Sequence, residues 1–188
     1  MTQIVAVVGV SGVGKSTFIR GLRGALSFQH LSAGRIIRYQ REREEQAPQA
    51  HDELRNLDID ENQRLLVEGF HDLLDASQNL TLFDGHTVID TSDELRRIEP
   101  SVFASLGIMA ILFLQEQPET IRSRREADRK RSRPLISPEK ISVHQSYALA
   151  TTAEICLELA IPFLVIDTSQ VESAIRFIQA QFTEPPNA

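Results

Sequence analysis

Gly9-Val10-Ser11-Gly12-Val13-Gly14-Lys15-Ser16 fits the spacing G-x-x-x-x-G-K-[ST] without a mismatch, and Thr17 extends it. Each position has a mechanical reason. Glycines let the backbone wrap so that its N–H groups turn inward, making a nest for phosphate oxygens. The helix that opens near Lys15 adds its positive N-terminal end. Lys15 then reaches the β- and γ-phosphates, and the Ser16 hydroxyl stands where it can ligate Mg²⁺. Gly9, Gly12, Val13, Gly14, Lys15, Ser16 and Thr17 are the expected nucleotide-binding residues, with ATP and Mg²⁺ as cofactors. A glycine turn before an unrelated helix is the bland alternative, and the apolar strand in front of the loop argues against it.

The arginines are the second chemical signal. Of 20 basic residues 17 are arginine, although the net charge is −6. Arg35, Arg38, Arg41 and Arg43 form one cluster; Arg122, Arg124, Arg125, Arg129, Lys130, Arg131 and Arg133 form another. An acidic chain with two local arginine clusters suits small anionic ligands rather than a nucleic acid. Two solvated helix faces would look the same. Asp84, in Phe83-Asp84-Gly85-His86-Thr87, falls at the carboxyl end of a strand, where open α/β sheets bind ligands. His30, His51, His71 and His144 have no ligand spacing among themselves, so no protein metal site is assigned to them. Cys156, the single cysteine, sits in a helix without a cationic neighbour and reads as a buried structural thiol.

These residues need elements to hold them. Ile4–Val8 is a β-branched run, as in a central parallel strand covered on both faces. Further strands are predicted at Phe28–Leu31, Leu80–Phe83, Ile108–Leu114 and Phe163–Asp167. Helices are predicted at Ser16–Leu26, from Gly34 to Gln46, Asp60–Ser77, Glu94–Leu106 with a break at Pro100, Pro118–Arg129, Glu139–Leu159 and Gln170–Phe182. Ser132–Pro138 reads as a loop. Strands separated by helices require crossover connections. The expected fold is a three-layer α/β P-loop domain, with about five parallel strands and helices on both faces.

The 188 residues, 41% hydrophobic and 24% charged, suit one ordinary globular domain and exclude disorder or a disulfide scaffold. The apolar runs are too short to span a bilayer, and Met1–Val10 lacks signal-peptide features. The expectation is a cytoplasmic protein, a monomer or small homo-oligomer, with no nucleic-acid or membrane partner.

In four places the sequence resembles the adenylate kinase-like nucleoside monophosphate kinases, particularly the archaeal-type adenylate kinases. The first is the P-loop. The second is Leu31-Ser32-Ala33-Gly34-Arg35-Ile36-Ile37-Arg38, similar to the family's acceptor segment. It implies that Ser32, Gly34 and Arg38 bind the acceptor monophosphate, with Arg55 a second candidate. The third is Asp84-Gly85-His86, similar to an Asp-x-His segment; Asp84 would hold Mg²⁺-bound water and His86 would face the acceptor phosphate. The fourth, Arg124-Arg125-x-x-Asp128-x-x-Arg131-x-Arg133, is similar to a short metal-free lid. It implies catalytic roles for Arg125 and Arg131, beside Lys15 and Asp84, and ATP contacts for Arg129 and Arg133. The acceptor-binding insertion would span about 32–77 and the lid about 125–138.

The resemblance implies transfer of the ATP γ-phosphoryl group to a nucleotide, AMP by family default. Arg35 stands where many adenylate kinases have an acidic residue, and no base-reading residues stand out. Two alternatives remain open: a kinase for another small acceptor, and a P-loop ATPase module that regulates a partner. A kinase requires an acceptor pocket with Arg38 or Arg55 pointing in, whereas a module would expose an apolar patch there.

Overall fold

The computed structural model describes residues 2–44, 59–91, 94–128 and 136–182. In chain order the elements are β1 (Gln3–Val8), α1 (Lys15–Leu22), β2 (Gln29–Ser32), α2 (Ala33–Arg43), α3 (Ile59–Leu73), β3 (Leu80–Asp84), β4 (Val88–Asp90) and β5 (Leu95–Arg97). They continue with α4 (Pro100–Ser105), β6 (Ala110–Gln115), α5 (Pro118–Ala127), α6 (Pro138–Leu159), β7 (Phe163–Asp167) and α7 (Val171–Ala180).

Five strands form one parallel sheet in the order β2-β3-β1-β6-β7. The order follows from composition. β1 and β6 are the most apolar runs, and Val5–Val8 and Ala110–Leu114 are buried throughout, so these strands occupy the interior of the sheet. β2, with Gln29 and His30, takes an edge. Helices cover both faces: α1 packs on α7, while α4 and α5 pack on α6. α6 begins at Ser137, whose hydroxyl accepts from Lys140 N–H at 3.4 Å, with Pro138 in its first turn. Among the described residues no helix is long and apolar enough to cross a membrane.

One stretch departs from the sequence pattern. Residues 94–106 were expected as one helix broken at Pro100. Instead β4 and β5 pair antiparallel, Val88 opposite Arg97 and Asp90 opposite Leu95, and Pro100 starts α4 rather than interrupting a helix. Thr91 closes the hairpin, its N–H and hydroxyl both donating to Glu94 O. A three-residue strand is too short to carry an alternation signal, and its partner decides its conformation.

Candidate active site

The site is assembled at the carboxyl ends of three adjacent strands. Register places Val7 of β1 beside Asp84 of β3, and Asp84 beside Ser32 of β2. The loop after β1 passes over these ends and enters α1. Gly9 takes φ +148°, and a Cβ there would lie 2.5 Å from the Leu114 carbonyl oxygen, so only glycine lets the loop leave the sheet this way. Gly85 answers a different constraint. A Cβ there would meet the Phe83 ring at 2.6 Å, so its absence brings Asp84 and His86 into the same cleft.

That cleft has a volume of about 300 Å³. Gly12, Gly14, Lys15, Ser16 and Thr17 line its P-loop side. Ser32, Gly34, Asp84 and His86 line the strand side, and Arg124 and Asp128 the α5 side. Val13 is fully buried and its N–H donates to Val10 O at 3.3 Å, so it shapes the loop from behind rather than facing the cleft.

Lys15 is folded back within the loop. Its ammonium donates to Gly9 O at 3.2 Å, lies 3.9 Å from Asp84 Oδ1 and approaches His86 Nε2 at 3.4 Å. His86 Nδ1 lies 2.7 Å from the same Gly9 carbonyl. A carbonyl only accepts, so Nδ1 carries the proton and Nε2 presents its lone pair to the lysine. Asp84 is 11% exposed. Burial alone pushes its carboxyl up, but His30 and Lys15 outweigh burial and hold it below the ordinary carboxylate range. The cleft therefore presents an ionised carboxylate opposite a lysine and a serine hydroxyl.

A second cavity, of about 110 Å³, adjoins the first through Ala33, Gly34 and His86. Its walls are mostly carbon: Ile37 from α2, Leu66 from α3, Phe83, Ile98 and Phe103. Asn62 and Gln63 add two amides. Phe83 is fixed edge-on against Phe70, ring centres 5.8 Å apart. The sequence did not single out Asn62 or Gln63, because they lie on a helix whose apolar stripe dominates the pattern.

The arginines are placed differently from the sequence expectation. Arg125 was expected to reach over the nucleotide. It is 6% exposed, donates from Nε to Ser11 O at 2.9 Å and packs behind Gly12, so it clasps the outside of the loop. Arg124 lines the cleft instead, donating to Val13 O and, at 3.1 Å, to Glu116. Helical phase carries the signal for this swap: Arg125 stands four residues after Ile121, the fully buried residue of α5, and so shares its inward face. Arg38 is half-buried on α2 and lines neither cavity; its buried Nε has no hydrogen-bond partner. Arg41 is buried between α2 and α3 and donates to Asn62 Oδ1 at 3.0 Å. Arg55, Arg129, Arg131 and Arg133 lie outside the described residues.

A parallel sheet in this order, with a P-loop at β1 and an aspartate at the end of the neighbouring strand, defines a P-loop kinase-like fold. The family profile described as "AAA domain" matches residues 8–142, and the chain belongs to that family. Among solved structures, the 1.7 Å crystal structure of shikimate kinase from Bacteroides thetaiotaomicron is similar, with a TM-score of 0.55 and 16% sequence identity. The match covers 95% of this chain and 97% of that one. At that identity the likeness concerns the fold. No curated protein sequence matches the chain.

Proposed function

We propose that this chain is an ATP-dependent phosphotransferase that moves the γ-phosphoryl group to a nucleoside monophosphate, with AMP as the default acceptor. The observation that carries the reading is the adjacency of the two cavities: a phosphate cradle lined by Lys15, Ser16 and Asp84 shares Ala33, Gly34 and His86 with a carbon-walled pocket. The cradle suits the triphosphate and the pocket suits an uncharged, flat acceptor body.

Mg²⁺ fits the residues present, because the Ser16 hydroxyl and the ionised Asp84 carboxylate are hard oxygen donors facing one cleft. Bound there, the ion would neutralise charge on the phosphates. The protein's own share is positioning and electrostatics. Lys15 leaves Gly9 O for the phosphates, the N-terminus of α1 faces them, and Arg124 closes the α5 side. Phosphoryl transfer needs little else, since its transition state is stabilised by placement and charge.

Arg38 lining neither cavity favours, as a second reading, a small acceptor without a phosphate. One experiment separates these. ATP and Mg²⁺ are offered with a panel of nucleoside monophosphates, small alcohols and a hydroxylated carboxylic acid, and ADP formation is scored above the no-acceptor background. Stimulation by a monophosphate supports the first reading. Stimulation by a neutral alcohol supports the second. ADP release independent of every acceptor overturns both and leaves the ATPase module.

A further inference from the structure

His30 has no partner at any ligand spacing in the sequence, yet the sheet brings it to Asp84. β2 and β3 run parallel with His30 opposite Leu82 and Ser32 opposite Asp84, so His30, Ser32 and Asp84 project from one face. The His30 Nε2 atom is buried, makes no hydrogen bond of normal length and faces Asp84 Oδ2 at 3.7 Å. The strand beneath it is pinned by Gln29, whose side-chain amide donates to Leu73 O at 2.7 Å and accepts from Asp75 N at 3.0 Å.

The two oxygens of Asp84 thus have different partners with different fates. Oδ1 faces Lys15, which belongs to the cradle and, on the phosphotransferase reading, would turn to phosphate when nucleotide arrives. That movement would leave a largely buried carboxylate without its ammonium and with one fewer group fixing its orientation. Oδ2 faces His30, which belongs to the sheet and stays.

We infer that His30 is a positioning residue: it holds the Asp84 carboxylate with Oδ1 turned into the cleft after Lys15 has moved to the nucleotide. It touches no phosphate. Its kinetic consequence rests on the phosphotransferase reading; its effect on Asp84 does not.

The test uses the full chain with His30→Gln, His30→Asn and His30→Leu. The glutamine amide reaches about as far as imidazole Nε2, the asparagine amide stops short, and leucine has no donor. Expected results are a kcat within about threefold of wild type for His30→Gln, and a kcat lowered about tenfold or more for the other two with the KM for ATP little changed. A second readout needs no turnover: calorimetric ADP binding with and without Mg²⁺. Wild type and His30→Gln gain affinity from the ion; His30→Asn and His30→Leu lose about fivefold or more of that gain and keep metal-free affinity. Three variants behaving alike, or a full Mg²⁺ gain in His30→Asn, overturns the inference. If His30→Leu does not fold, the glutamine–asparagine pair decides. If wild type turns over no acceptor, the kinase reading fails by itself, and the calorimetry still decides whether His30 holds Asp84.

Discussion

Lys15 Nζ and His86 Nε2 lie 3.4 Å apart, and both side chains close on the carbonyl of Gly9. The cradle lysine is thus folded against its own loop, by groups whose bonds are weaker than the charge-assisted ones a phosphate would offer. His86 is at once the keeper of Lys15 and part of the wall between the two cavities.

Lys15→Ala removes the cationic end of the cradle. Phosphoryl transfer is expected to fall below a tenth of wild type, a loss above about 1.4 kcal/mol. The fold should survive with a lowered melting temperature, because Lys15 is buried and its ammonium faces the largely buried Asp84 carboxylate. Steady-state kinetics beside a thermal melt checks both; a variant retaining more than a tenth of the activity would sink the cradle assignment.

Arg124 and Arg125 are neighbours with separate tasks, and alanine at each should separate them. Arg124→Ala is expected to weaken ADP binding and lower turnover with the fold unchanged, since its guanidinium lines the cleft. Arg125→Ala strips a buried donor from Ser11 O and packing from Gly12, and should cost about 1–3 kcal/mol of stability. Denaturant melts and ADP titrations together read the contrast; equal melting midpoints would put Arg125 back among the ligand-binding residues.

At Gly9 the expected loss is structural before it is catalytic. Alanine there meets both a positive φ and the Leu114 carbonyl at 2.5 Å. Gly9→Ala should lose about 2 kcal/mol or more, with nucleotide affinity falling because the loop no longer closes. A melt indistinguishable from wild type would show that the loop can leave β1 by another path.

On the acceptor side, Arg38→Ala and Arg55→Ala are the paired test. The sequence resemblance nominates both, and Arg38 lines neither cavity. Arg55→Ala is therefore expected to raise the acceptor KM about tenfold or more, as loss of a charge-assisted phosphate contact would. Arg38→Ala should have the smaller effect, and the reverse order would restore Arg38 as the phosphate grip.

Cys156 supplies a check on the packing of α6. It is buried in α6, and burial pushes its thiol up to about 11. At neutral pH iodoacetamide should label it no faster than the protein opens, and labelling should become rapid only in denaturant. Rapid labelling of the native protein would contradict the packing of α6.

The sequence by itself determined the parts whose physics is local or periodic. The P-loop was legible because backbone wrapping needs glycine at fixed steps, and Lys15 and Ser16 follow at fixed distances along the chain. The central strands β1 and β6 were legible because a strand buried on both faces must be apolar throughout. What tertiary structure alone decided depends on neighbours distant in sequence. β5 became a strand because β4 pairs with it, although Leu95–Arg97 carries no alternation. His30 meets Asp84 only because the sheet sets β2 beside β3 in a register that no spacing along the chain encodes.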